Sequence, residues 1–251
     1  MTSNFKNTHM NKADSYNIGR PHYPPAFFDY LDKIVLIRNS VIADVGAGTG
    51  KITMMFLERG YRVFALEPDR DMVRVLRENT KGFPGCTIVE STAENTGIPD
   101  DSTDLVFCGN SYMWFDRAAV IPEFRRIVRG GRRQNVILAQ LGAGRNAYGD
   151  EIHEINKKFS RADLNAVPNN SPPFQSGMYQ EKVFDYTIYQ DFNEMLHGHL
   201  SASYAPAADD DCFEAYCGRL KEVFEKYSSD GRIETKMRLS CVIGSAEDLI
   251  H

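Results

Sequence analysis

The chain has 251 residues and a formal net charge of −5, with 42% hydrophobic and 25% charged residues. That length suits one large α/β domain or a domain carrying a cover. The acidic balance provides no global field toward nucleic acid or an anionic membrane.

Pro24 and Pro25 open a predicted helix with Phe28, Leu31, Ile34 and Val35 on one face. Val41 to Val45 is a short, nearly continuous apolar strand of the kind buried on both faces of a parallel sheet. Three glycines follow, and then Ile52, Met55 and Phe56 share a helical face that ends at Gly60. "YRVFALE" reads as a second strand and "DRDMVRVLRENT" as an amphipathic helix with acids at its positive end. "CTIVE", "TDLVFCGN" and "QNVILAQL" supply three more strands. Before the last comes a helix burying Phe124, Ile127 and Val128, its regular part expected to start at Pro122. Alternating strands and helices mean a parallel sheet with right-handed crossovers.

Beyond Leu141 the rhythm fails. Residues 142–180 include "PNNSPPFQSG" and read as a loop or cover. "VFDYTIYQ" alternates like a half-buried strand. "DDDCFEAYCGRLKEVFEKY" is a helix with Phe213, Tyr216, Cys217, Leu220 and Phe224 along one stripe. "RIETKMRLSCVIG" places Ile233, Thr235, Met237, Leu239 and Cys241 on one face, a period that fits an antiparallel last strand.

The five cysteines (Cys86, Cys108, Cys212, Cys217, Cys241) show no C-x-x-C spacing and read as thiols of a reducing compartment. "MTSNFKNTHMNKADSYN" lacks a signal-peptide core, and no run is long enough to span a bilayer. The expected address is the cytoplasm, with no membrane partner.

Gly46, Gly48 and Gly50 stand at the turn between the first strand and the first helix, where a ligand can approach the backbone. Glu67, at the end of the second strand, is placed to accept hydrogen bonds from a ribose. The spacing differs from the G-x-G-x-x-G of dinucleotide turns. Asp44 just before it would repel a pyrophosphate and suits a cationic amino-acid group. A tight turn with close helix packing is the alternative explanation of the glycines.

"ADVGAGTGK", "ALEPDRDM", "STAENTGIPDDSTDLVFCGNSYMWFD" and "EFRRIVRGGRRQNVILAQ" resemble successive motifs of the class I S-adenosylmethionine-dependent methyltransferases. The resemblance is closest to the small-molecule branch of trans-aconitate methyltransferase and the type 11 domains. "ADSYNIGRPHYPPAFFDYL" and "LSASYAP" extend it over nearly the whole chain. It implies an α/β fold: a Rossmann-like, mostly parallel seven-stranded sheet with helices on both faces, the last strand antiparallel, and an insertion or lid before the last strands. One domain over 1–251 would comprise a helical cover (1–38), a cofactor-binding core (39–141), an insertion over substrate (142–205) and a C-terminal helix and strand (206–251).

The resemblance also implies S-adenosyl-L-methionine as cofactor and a small-molecule acceptor. Asp44, Gly46, Gly48 and Gly50 would hold the methionine part, and Glu67 the ribose hydroxyls. Pro68, Asp69 and Met72 would line the adenine pocket, and Ala93 and Glu94 would meet the adenine edge. Asn110 and Ser111 would face the sulfonium and the entering acceptor. Tyr112 and Trp114 are candidates for aromatic contact with the sulfonium or substrate, and Phe115 for a wall of the sheet's end. Tyr16 and Arg20 could close over the site from the N-terminal segment.

The branch commonly reads "HWFD" where this chain has Met113 before Trp114. A thioether cannot take a proton, so the general base is unidentified. A carboxylate acceptor, ionised at neutral pH, needs none. His153, His197 and His199 are alternative bases that read better as surface or packing residues. Methyl transfer to an oxygen is therefore the expectation. The alternatives are an NAD-dependent oxidoreductase and a cofactor-binding homologue without transfer activity. Arg125, Arg126, Arg129, Arg132 and Arg133 form a basic cluster without interleaved aromatics, so no nucleic acid is expected. His197 and His199 have no ligand-type neighbour set beside them, so no metal is expected.

Overall fold

Short apolar strands separated by amphipathic helices can be covered on both sides only as a layered α/β sheet. A computed structural model describes residues 11–34, 39–130, 134–144, 146–160 and 172–250. Its strands are β1 (Val41–Val45), β2 (Arg62–Leu66), β3 (Cys86–Val89), β4 (Leu105–Gly109), β5 (Val136–Ala143), β6 (Tyr179–Gln190) and β7 (Ile233–Gly244). They form one seven-stranded sheet in the order β3-β2-β1-β4-β5-β7-β6. The first five are parallel, with Val45 beside Leu66, Asp44 beside Phe107 and Gly109 beside Ala139. β7 runs the other way: the Asn135 amide donates to the Gly244 carbonyl and the Gly144 amide to the Lys236 carbonyl. The strand order reverses between β1 and β4, which opens a crevice at their carboxyl ends.

The helices are α1 (Lys12–Gly19), α2 (Pro25–Ile34), α3 (Lys51–Glu58), α4 (Arg70–Thr80), α5 (Arg117–Ile127), α6 (Ala147–Phe159), α7 (Phe192–Leu200) and α8 (Phe213–Tyr227). β4 shows why the central strands are continuously apolar. Phe107 meets Phe27 of α2 and Phe56 of α3 on one face, ring centroids 6.0 and 5.4 Å apart. Its neighbours Val106 and Cys108 pack on the other face with Val120, Phe124 and Ile127 of α5. Because alternate side chains face opposite layers, both sets must be apolar. β7 instead alternates, with Ile233, Thr235, Met237, Leu239 and Cys241 buried.

Contacts among the described residues group into two units. One draws on 22–141, 168–184 and 239–251; the other on 1–21, 142–167 and 185–238. In the second, α1 meets α7 where a Cβ on Gly19 would lie 1.8 Å from the Gly198 nitrogen. No described helix is long and apolar enough to cross a membrane.

Three expectations change. α5 starts at Arg117, not Pro122, because the Asp116 carboxylate caps the Ala118 amide and sets the helix five residues earlier. Pro122 then sits inside the helix, where it deprives one carbonyl of its partner. Within 142–180, α6 replaces the expected loop along Tyr148, Ile152 and Ile155, all buried. α7, absent from the sequence reading, begins at a capping box formed by Asp191 and Glu194. Val35 lies outside the described residues, as do residues 168–171, the start of the proline-rich stretch.

The arginine cluster is engaged within the chain. Arg125 donates to the carbonyls of Ala246, Glu247 and Leu249. Arg126 pairs with Glu123 and Asp100, and Arg129 with Asp104. Arg132 and Arg133 fall outside the described residues. Asp104 is buried, and its Oδ2 accepts both the Val41 amide and Arg129 Nη1 at 2.8 Å. Asp104→Ala removes the acceptor of a buried amide at the start of β1 and the partner of a half-exposed guanidinium. We expect a loss of about 2–3 kcal/mol, read as a lower urea midpoint at unchanged slope.

Candidate functional site

The carboxyl ends of β1, β2 and β4 converge on the glycine turn. Gly46, Gly48 and Gly50 have φ of +77°, +58° and +83°, a region that L side chains rarely adopt. The amides of Gly46 and Ala47 both donate to the Leu66 carbonyl, at 3.0 and 2.8 Å, which binds the turn to the end of β2. A Cβ on Gly46 would come within 2.5 Å of Ser111 Cβ, and one on Gly50 within 2.4 Å of Leu76 Cδ1. Internal packing thus accounts for two of the three glycines. Gly48 is different: its amide donates to Glu67 Oε2 at 2.8 Å.

Two buried carboxylates flank this turn. Asp44 is 2% exposed, and Thr53 of α3 donates its hydroxyl to Oδ2 at 2.5 Å. Burial pushes the Asp44 carboxyl up to about 7; the charge of Glu67 adds to the rise and the Thr53 bond opposes it. Glu67 is buried as well and is also raised, chiefly by burial, while the Gly48 and Asp69 amides oppose the rise. The Asp69 amide donates to Oε1 at 3.0 Å, so each Glu67 oxygen already accepts one backbone bond.

The remaining expected cofactor residues fall around this pair. Pro68 and Asp69 are exposed; Asp69 caps α4 by accepting the Asp71 and Met72 amides, and Met72 is half-buried behind it. Ala93 is buried, and Glu94 accepts the Asp116 amide at 3.1 Å. Asn110, with φ of +56°, accepts the Leu141 amide at its Oδ1. Ser111 donates to the Val45 carbonyl at 2.7 Å and so fastens the end of β4 to the end of β1.

The candidate catalytic residues separate. Tyr112 is 8% exposed and its hydroxyl has no hydrogen-bond partner among the described residues. Burial pushes its phenol up to about 12 despite the Arg117 charge. Trp114 is 70% exposed, whereas Phe115 packs edge-on to Tyr112 with ring centroids 6.0 Å apart. Tyr16 and Arg20 belong to the unit containing α1, where Arg20 lies 5.1 Å from the Tyr16 ring centre and donates to Ser201. His197 is buried with Nδ1 3.1 Å from Ser15 Oγ. Burial and the Arg20 charge lower His199 to about 4. His153 is exposed on α6.

Sequence reasoning missed Thr53, which holds Asp44, and Arg117, the first residue of α5. It also missed a cavity of about 270 Å³ behind Asn110 and Ser111, to which Glu181 and Val242 contribute from β6 and β7. These residues are far apart in the chain and form no motif.

Comparison with known proteins shows what this strand order and glycine turn are similar to. Residues 43–133 match the methyltransferase domain family. An uncharacterized methyltransferase of Mycobacterium tuberculosis is 37% identical over 49% of this chain and 48% of its own length. The chain thus spans about half the length of the curated relatives it matches. A structure solved as a candidate type II methyltransferase from Anaeromyxobacter dehalogenans superposes with a TM-score of 0.64 at 18% identity, covering 92% of this chain and 99% of that one. A SAM-dependent methyltransferase from Thiobacillus denitrificans, solved with S-adenosylhomocysteine, aligns with a TM-score of 0.53 at 11% identity over 93% and 96% of the chains. At these identities the structural likeness establishes the fold.

Asp44 yields a pH prediction. Its folded value lies above its unfolded one, so the folded state binds more protons between about pH 4 and 7, and its contribution to stability falls as pH rises through that window. Asp44→Asn removes this dependence. The stability of the variant relative to the parent should rise with pH from 4 to 7, by up to about 1.4 kcal/mol per unit, in urea unfolding series.

Proposed function

We propose that this chain transfers the methyl group of S-adenosylmethionine to an oxygen of a small acceptor, a carboxylate. The observation that carries the reading is the pair of buried carboxylates, Asp44 and Glu67, on either side of a left-handed glycine turn. That donor set suits a ligand with a cationic amino group and a ribose diol. Asp44 opposes a dinucleotide, whose pyrophosphate would meet a carboxylate beside the turn, whereas an acid at the Glu67 position serves the ribose of either cofactor.

On this reading Asp44 and the Gly46–Gly50 turn hold the methionine part and Glu67 the ribose. Pro68, Asp69 and Met72 flank the adenine. Ala93 meets its edge beside Glu94, whose carboxylate also accepts the Asp116 amide. When bound, S-adenosylmethionine supplies an activated methyl whose S–C bond breaks with its electron pair going to sulfur, as an acceptor oxygen's pair makes the new C–O bond. Asn110 and Ser111, fixed by bonds to Leu141 and Val45, wall the entry of the acceptor. Positioning of this kind is worth roughly 7–11 kcal/mol in favourable cases. Met113 supplies no base, and Tyr112, at about 12, keeps its proton and can donate it in a hydrogen bond. An acceptor that arrives ionised fits both facts. Engagement of Arg125, Arg126 and Arg129 inside the chain favours a small molecule over nucleic acid, and five unbridged cysteines favour the cytosol.

The test is titration calorimetry of the purified chain with S-adenosylhomocysteine and with NAD. We expect micromolar affinity for the first, about −8 kcal/mol, and none for the second. Binding of NAD alone would overturn the methyl-transfer reading in favour of an oxidoreductase. Tight S-adenosylhomocysteine binding with no product from carboxylates, phenols or amines would mark a homologue without transfer. Glu67→Ala should weaken S-adenosylhomocysteine about tenfold or more; unchanged affinity would remove Glu67 from the ribose site.

A further inference from the structure

We propose that the acceptor is a small monocarboxylic acid with an apolar body, bound in the cavity behind Asn110 and Ser111, its carboxylate on the Tyr112 hydroxyl and the Arg117 guanidinium. The proposal rests on the methyl-transfer reading and specifies its acceptor.

The cavity holds about 270 Å³, the volume of roughly nine waters at about 30 Å³ each. That is below the usual size of drug-sized pockets. Met113, Leu138 and Val242 contribute apolar wall, and Pro172 and Pro173 extend it. A body of a few carbons is the chemistry such a lining rewards.

Asn110, Ser111, Gln140 and Ser240 add neutral polar side chains to the lining, and Tyr112, Arg117 and Glu181 have distinct parts. The Tyr112 hydroxyl is buried and has no partner among the described residues, and Tyr112 is one of the residues that line the cavity. Buried hydroxyls are ordinarily bonded, so a ligand acceptor completes what the protein leaves open. Arg117 lies over the same ring, 5.5 Å from its centre, and lines the same cavity. A neutral donor and a guanidinium on one ring favour a carboxylate oxygen over an amine.

Charge limits the acceptor to a single carboxylate. Among the described lining residues Arg117 is the only cation and Glu181, exposed on β6, the only anion. A second or third carboxylate would have no counter-charge and would face Glu181. This separates the chain from the tricarboxylate acceptor that resemblance to the trans-aconitate branch suggests. The cavity adjoins the glycine turn through Ser111, whose Cβ fills the space a side chain at position 46 would need.

The experiment titrates the S-adenosylhomocysteine-loaded chain with hexanoate, benzoate, adipate and aconitate by saturation-transfer NMR, and assays each with a labelled methyl donor. Hexanoate or benzoate should bind at least about tenfold more tightly than either polycarboxylate and give a methyl ester. Tyr112→Phe deletes an unpartnered hydroxyl, so it should fold with an unchanged or higher thermal midpoint and unchanged S-adenosylhomocysteine affinity. Its monocarboxylate affinity should fall about tenfold. Glu181→Gln should narrow the gap to adipate. Preference for adipate or aconitate, or no effect of Tyr112→Phe on binding, would each overturn this proposal and leave transfer to a carboxylate standing. No carboxylate binding to the loaded chain would overturn this proposal and the carboxylate acceptor of the reading above, and leave only the cofactor assignment. Failure of S-adenosylhomocysteine to bind would overturn both.

Discussion

The stitch between three strand ends is the constraint on which the site depends. The Gly46 and Ala47 amides close on the Leu66 carbonyl, and the Ser111 hydroxyl closes on the Val45 carbonyl. These bonds hold the ends of β1, β2 and β4 in one arrangement, and they are possible only because position 46 carries no side chain against Ser111. Neighbouring parallel strands need no such fastening to pair. The fastening positions the groups that leave the strands: Asp44 before the turn, Glu67 after β2 and Asn110 after β4.

Such an arrangement buries like charges. Asp44 and Glu67 each raise their own proton affinity by burial, and Glu67 raises that of Asp44 further. Without a ligand the pair is held by one hydroxyl and two backbone amides, fewer donors than two ionised carboxylates accept in water. On the proposed reading, positive charge and hydroxyl donors of the ligand would make up the difference. A fold under selection for stability alone would place an amide or an apolar residue at position 44, as burying a carboxylate without a counter-charge is among the costlier choices available.

The central architecture is legible in the sequence because burial on both faces writes an unmistakable pattern. Leu105–Gly109 is apolar throughout, since Phe107 and Val106 serve opposite layers. β7 is equally readable from its alternation. α6 is legible in the same terms as α8, with Tyr148, Ile152 and Ile155 at i, i+4 and i+7 behind the Asn146 cap; only the proline-rich stretch beyond it suggests a loop. α7 carries the capping pair Asp191 and Glu194, a local signal that could have revealed it. The glycines illustrate the limit of local reasoning. Close approach at Gly46 and Gly50 is evident from their type, but the approaching groups, Ser111 and Leu76, are distant in the chain. The cavity is illegible for the same reason: Tyr112 and Arg117 are near neighbours in sequence, yet Glu181 and Val242 come from strands that only the sheet order brings alongside.

Met113 and Tyr112 make a consistent chemical statement together. Replacement of an imidazole by a thioether removes a base that could serve phenols, alcohols or amines. The neighbouring phenol does not substitute for it, because burial moves it further from the range in which it could lose a proton near neutrality. On the proposed reading, proton removal falls to the acceptor, which then arrives ionised. A hydroxyl held protonated is useful to such an acceptor: it donates to one carboxylate oxygen and leaves the other as nucleophile. Too many donors on the reacting oxygen would stabilise its charge before transfer and raise the barrier. In the proposed acceptor site, one phenol and one guanidinium over a mostly apolar wall would orient a carboxylate while leaving most of its reactivity intact.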